Sequence, residues 1–108
     1  MIIEDVFEQL KNDNVCRTAH EFSEDFLGRS PSYYSMLKAR RREPSTETLI
    51  TLEHALRSTA TIFASNRYPY FVRTHKHLLE LVESVRAFRT TKANKRISRR
   101  FSYYRLST

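Results

Sequence analysis

The sequence has one glycine, three prolines, one cysteine and no tryptophan in 108 residues. So few turn formers argue against a fold of many short strands and hairpins, and leave an all-α chain as the default. A lone Cys16 cannot build a disulfide framework. No apolar run approaches a membrane span or the apolar stretch of a secretory leader, so the chain reads as soluble and cytoplasmic. With only Gly28 available there is no glycine-rich phosphate loop and no nucleophile elbow. His20, His54, His75 and His77 lack a metal spacing, because residues two apart on a helix face different ways and no carboxylate or thiol cluster joins them. The expectation is a non-enzyme with no catalytic residue, metal, cofactor or small-molecule substrate. Cys16 reads either as a small buried thiol or as a redox-sensitive one near a helix start.

Acid is also missing in places. Residues 84–108 hold 8 Lys and Arg and no Asp or Glu, whereas residues 1–83 hold 11 basic and 12 acidic side chains. Within the body, residues 1–28 carry 2 basic and 7 acidic residues, while residues 29–42 carry Arg29, Lys38, Arg40, Arg41 and Arg42 with no acid. Such segregation gives two cationic surfaces suited to phosphate.

What is present is helical periodicity. Ile3, Val6, Phe7 and Leu10 share one face from about Ile2 to Lys11, and Asn12-Asp13-Asn14 breaks the run. Thr18 with Glu21 forms a capping box for a second helix that reaches Leu27, and Gly28 suits a left-handed helix end. The next helix starts at once, with Ser30 as cap and Pro31 where a proline is tolerated, and spans 31–40. Tyr34 and Leu37 turn inward on it; Pro31, Ser32, Tyr33, Ser35, Met36 and Lys38 are left outward or to the flanks. Pro44-Ser45-Thr46-Glu47 then opens a helix whose apolar residues are Leu49, Ile50, Leu52, Ala55 and Leu56, the pattern weakening after Leu56.

Leu-Gly-x-Ser-x-Ser-Tyr-x-Ser from Leu27 to Ser35, Pro-Ser-x-Glu-Thr-Leu from Pro44 to Leu49, and Ala55-Leu56 resemble the Cro and phage-repressor (XRE-type) helix-turn-helix family. The resemblance implies a five-helix-type, all-α DNA-binding domain, generally dimeric, acting as a transcriptional regulator in a bacterial or phage nucleoid. Phe22-Ser23 stands where the family usually carries Leu-Ala, which predicts an extra residue in the turn. Lys38 and Arg40 replace a common acid and glycine, and Pro31 takes the place of a long polar reader.

Beyond Asn66, Tyr68-Pro69 opens a helix to about Phe88. Phe71, Leu78, Leu81, Val85 and Phe88 form its stripe, widened by Val72, Leu79 and Val82. The stripe serves either the chain's own core or, in part, a homodimer interface. After Arg89, a basic aromatic segment places Lys95, Arg96, Arg99 and Arg100 as an arm for DNA or as the cationic face of a docked terminal helix.

The expected organisation is a helix-turn-helix domain (1–66), a C-terminal helix (67–91) and a basic tail (92–108). The expected activity is sequence-specific binding of double-stranded DNA, with Ser30, Pro31, Ser32, Tyr33 and Met36 at base edges. Arg17, Arg29, Lys38, Arg40, Arg41 and Arg42 would hold phosphates. The rival readings are a protein-interaction adaptor on the same scaffold and a non-specific nucleic-acid binder that uses the tail.

Overall fold

The computed structural model describes the backbone of residues 2–65 and 67–106 and the side chains of residues 2–65 and 67–92. Every regular element among the described residues is helical. In α1 (Ile2–Asn12), Glu4 and Asp5 lie in the first turn, where negative charge complements the helix dipole, and Ile3, Val6, Phe7 and Leu10 are buried. Asn14, with φ of 58°, turns the chain out of it.

Thr18 caps α2 (Ala19–Glu21), its Oγ1 accepting the Glu21 N–H at 3.1 Å. The Glu21 carboxylate reciprocates by accepting the Arg17 N–H at 3.0 Å, one residue further back than in the usual box. The helix then widens into a π segment (Phe22–Phe26), closed by the Leu27 N–H on the Phe22 carbonyl at 3.1 Å. The extra residue expected in the turn is therefore taken up before it, inside the helix. Gly28 follows with φ of 63°, and the Arg29 N–H reaches back to the Ser23 carbonyl at 2.9 Å. That bond spans six residues where an α-helical ending spans five, as the wider turn requires.

Next comes α3 (Tyr33–Arg40), closed by Arg41 in the left-handed conformation (φ of 51°). It starts two residues later than the expected Pro31. Pro31 and Ser32 form a turn in which the Tyr33 N–H donates to the Ser30 carbonyl at 3.0 Å, and no side chain of Ser32 caps the helix. The capping group comes from elsewhere: the Oγ of Ser23 accepts the Tyr34 N–H at 3.0 Å.

Ser45 caps α4 (Thr46–Phe63) by accepting the Thr48 N–H at 3.3 Å. The helix does not fade after Leu56. Ala60 continues its buried line, and the Thr59 and Thr61 hydroxyls donate to the carbonyls of Ala55 (2.7 Å) and Arg57 (3.0 Å), the i−4 bonds by which a threonine inside a helix satisfies its hydroxyl. The final helix, α5 (Pro69–Leu106), runs through the expected end at Phe88 and through the boundary drawn at residue 92.

The core centres on three aromatic rings from three elements. Phe7 lies 5.1 Å from Phe22 and 4.9 Å from Tyr34, and Phe22 meets Tyr34 edge-on at 5.3 Å. Leu49, Leu52 and Leu56 of α4 and Leu78, Val82 and Val85 of α5 complete it. Leu78 and Val85 are thus fully buried within one chain, which removes them from any dimer interface. Phe71 stacks on Phe63 at 5.6 Å, and Leu81 and Phe88 pack against the same core, all three remaining partly exposed. Periodicity identifies an apolar face; it does not say which surface covers it.

Polar ties fix α5 in place. Arg89 donates to the mostly buried Glu53 carboxylate at 3.1 Å, with Arg57 at 3.6 Å on its other oxygen. The Tyr70 hydroxyl donates to the Asp13 carbonyl at 2.7 Å, and His77 Nδ1 lies 2.9 Å from the Asp13 carboxylate.

Candidate nucleic-acid interface

Only one line of α3 is buried. Tyr34 and Leu37 enter the core, while Ser35, Met36, Lys38, Ala39 and Arg40 are exposed and Tyr33 is half-exposed. Ahead of the helix, Arg29, Ser30, Pro31 and Ser32 are all exposed; beyond it, so are Arg41, Arg42 and Glu43. An eight-residue helix seated on two side chains presents most of its circumference to solvent.

The element is nevertheless held firmly at its N-terminal end. The fully buried Ser23 hydroxyl donates to the Ala19 carbonyl at 2.9 Å and accepts the Tyr34 N–H, which bridges α2 to α3. Thr48, buried in the first turn of α4, is a second anchor: its Oγ1 accepts from Arg29 Nε at 3.2 Å and lies 3.4 Å from the Tyr33 hydroxyl and 3.0 Å from Ser45 Oγ. The Arg29 guanidinium also sits 5.6 Å over the Tyr33 ring. Two of the residues expected at the interface are thereby pre-oriented on one hydroxyl. The Nη groups of Arg29 make no protein hydrogen bond among the described residues and are free for an anion.

At the other end, Arg41 ends α3 with its N–H on the Lys38 carbonyl at 3.2 Å, and the Arg42 N–H bonds the Leu37 carbonyl at 3.0 Å. A left-handed residue usually is glycine; an arginine there costs on the order of 1 kcal/mol. Lys38 and Arg41 share a cleft of about 320 Å³ with Glu4 and Glu43, so the cationic surface here has an acidic border.

Not every residue expected at the site joins it. Arg17 is exposed, but it precedes an element whose exposed side chains include Glu21, Glu24 and Asp25, and the Glu21 carboxylate already occupies its backbone N–H. Lys95, Arg96, Arg99 and Arg100 lie on the backbone of α5, with side chains outside the described residues. Lys92 has a structural contact: its Nζ donates to the Pro44 carbonyl at 2.9 Å and steadies the loop into α4. Ser23 and Thr48 were missed. The available signal for Ser23 was a serine among Phe22, Phe26 and Leu27, since a buried hydroxyl needs partners.

Among the described residues, no group of three His, Cys, Asp or Glu is placed to hold a metal, and no helix is long and apolar enough to cross a membrane. Cys16 is buried with Sγ 3.6 Å from the Thr18 carbonyl, and burial, aided by the Glu21 charge, pushes its thiol up to about 11. It is therefore protonated and unreactive near neutral pH, opposite to a redox-sensing thiolate.

No curated protein and no solved structure matches the chain. A family model does match, over residues 3–102, and the chain belongs to that family: DUF6626, a family of unknown function.

Proposed function

We propose that this protein binds double-stranded DNA in a sequence-dependent way and regulates transcription, with α3 entering the major groove. The observation that carries the reading is the seating of α3: a short helix held by Tyr34 and Leu37, with hydroxyl, thioether and aromatic groups outward and arginines at both ends. The succession α2, glycine turn, α3, loop, α4 supports this reading, because the repressor-like helix-turn-helix that the sequence resembles implies elements in that order. In this reading Ser30, Ser32, Tyr33 and Met36 meet base edges, the hydroxyls by direct or water-mediated hydrogen bonds and Met36 by contact with thymine methyls. Pro31 stiffens the approach. Arg29, Lys38, Arg40, Arg41 and Arg42 hold phosphates and set register.

Selection of random-sequence duplex DNA on the full chain at near-physiological salt tests it, with Arg41→Gly alongside. Glycine relieves the left-handed backbone, so the variant keeps its thermal stability. Its DNA affinity falls about three- to tenfold and its salt slope flattens by about one. An enriched site with these effects supports the reading. No enrichment, or an Arg41→Gly protein that binds as the parent does, would leave the surface to a protein partner.

A further inference from the structure

Between Val72 and Glu83, α5 has a second face that the core does not use. Val72 and Leu79, two helical turns apart, are 50% and 46% exposed. A groove of about 590 Å³ runs over them, flanked by His75, Lys76, Glu80 and Glu83. It is continuous, through His75, Leu79 and Glu83, with a hollow of about 460 Å³ whose far wall is Ala60 and Thr61 of α4. Charge on this face changes sign along the axis: His75 and Lys76 precede Leu79, while Glu80 and Glu83 follow it. Among the described residues, neither Lys76 nor Glu83 has an ion-pair partner.

We propose that this face binds a second copy of the chain, with the two α5 helices antiparallel and the two-fold axis beside Leu79. About such an axis, a residue some positions before Leu79 meets one the same number after it. Glu83 of each copy then stands opposite His75 of the other, with Lys76 one position and about 1.5 Å further along the axis and within reach, twice by symmetry, and Leu79 meets Leu79. Parallel pairing would set Lys76 on Lys76 and Glu83 on Glu83, which like-charge repulsion opposes. Arg86, one turn further, crosses opposite Val72, where its aliphatic stem covers the exposed valine and its charged end stays in water. The two carboxylates disfavour a nucleic acid on this surface, and the sign change disfavours any uniformly charged partner. The pairing supplies a second α3 for a two-fold DNA site; it rests on the DNA-reading proposal for that use alone, and is tested without DNA.

Sedimentation of the full chain measures it. The parent forms a dimer with Kd on the order of 10 μM. Lys76→Glu and Glu83→Lys each weaken association at least about tenfold, and the double variant returns to within about threefold of the parent, because reversal of both charges restores each cross-pair. Cysteine crosslinking fixes direction: under mild oxidation Leu79→Cys yields a disulfide-linked dimer and Val72→Cys does not. In the antiparallel pair the two copies of position 72 stand about 21 Å apart along the helices at 1.5 Å per residue. The buried Cys16 stays out of the reaction. A parent that remains monomeric at about 100 μM, a dimer indifferent to the charge reversals, or a Val72→Cys variant that crosslinks as readily as Leu79→Cys would each overturn the proposal. Any of these outcomes alongside specific DNA binding leaves the DNA reading standing.

Discussion

Replacement of Ser23 by alanine removes one oxygen atom and should unseat α3. Ser23 is fully buried, and its Oγ is the group that accepts the Tyr34 N–H at 3.0 Å while donating to the Ala19 carbonyl at 2.9 Å. Tyr34 lies in the first turn of α3, where backbone N–H groups have no acceptor within the helix, and water does not reach this position to substitute. A buried donor left unmet costs about 1–3 kcal/mol, and the volume lost is too small for a large cavity term. We expect Ser23→Ala to lose about 2 kcal/mol, which for a domain of this size lowers Tm by roughly 8–16 °C. The assay is urea unfolding followed by circular dichroism, with hydrogen exchange at Tyr34 and Met36 to show that loosening concentrates in α3. Ser30→Ala and Ser32→Ala are the controls: both side chains are exposed and Ser32 makes no capping bond, so each stays within about 0.5 kcal/mol. Alanine is also the residue usual at this position in the family the motif resembles, so reasoning by similarity expects no loss. A Ser23→Ala protein as stable as Ser30→Ala, with unchanged exchange at Tyr34, would refute the claim that this hydroxyl seats the helix.

Three further predictions concern the scaffold. Gly28→Ala should cost about 2 kcal/mol by urea denaturation, because the residue has φ of 63° and the new Cβ would meet Thr51 Cγ2 at 3.2 Å; Thr51→Ser should recover only the steric part. Arg89→Met leaves the Glu53 carboxylate largely buried without its closest cation and should cost about 2–3 kcal/mol, whereas Glu53→Met combined with Arg89→Met should cost less than Arg89→Met alone. If the double variant is the worse of the two, the pair contributes more than it costs to bury. Cys16, with its thiol raised to about 11 in the fold, contributes stability that is complete below the ordinary thiol value near 9 and is lost as pH rises from 9 through 11. Labelling by a thiol reagent at pH 8 should accordingly be far slower in the native protein than in urea, and native labelling at the unfolded rate would contradict this.

The parts of the fold that could be read from the sequence are those governed by neighbours. Thr18 and Ser45 cap the helices they precede, because a hydroxyl two or three residues from an orphan N–H is a local arrangement. The stripe of Ile3, Val6, Phe7 and Leu10 is buried because four consistent apolar positions allow only one inward face. The inward turn of Tyr34 and Leu37, and with it the exposure of Ser32, Met36 and Lys38, follows from the same spacing. The start of α3 is not legible locally, because its cap is eleven residues upstream, on Ser23, and nothing in the spacing of Ser30 and Pro31 excludes a helix there. Leu78 and Val85 are readable as apolar, with core and dimer interface left as alternatives, since their cover comes from elements earlier in the chain. The anchoring of Arg29 and Tyr33 on Thr48 joins residues 15 and 19 positions apart, beyond any local pattern.

The π segment makes the chain's length count in an unusual place. A helix that carries one wide turn between Glu21 and Leu27 holds a residue that an ordinary α-helix would not need to cover the same distance. Deletion of a single exposed residue there, such as Glu24, gives the backbone a regular alternative: the turn closes to α geometry instead of opening a gap. That repair leaves the residues on either side of the wide turn near their places, whereas loss of one residue from a regular α-helix turns everything downstream by about 100° relative to everything upstream. Phe22 and Ser23 before the closure and Leu27 and Gly28 after it then keep their faces together. A one-residue deletion, normally disruptive in a packed helix, would here be absorbed, leaving the direction in which α3 faces unchanged.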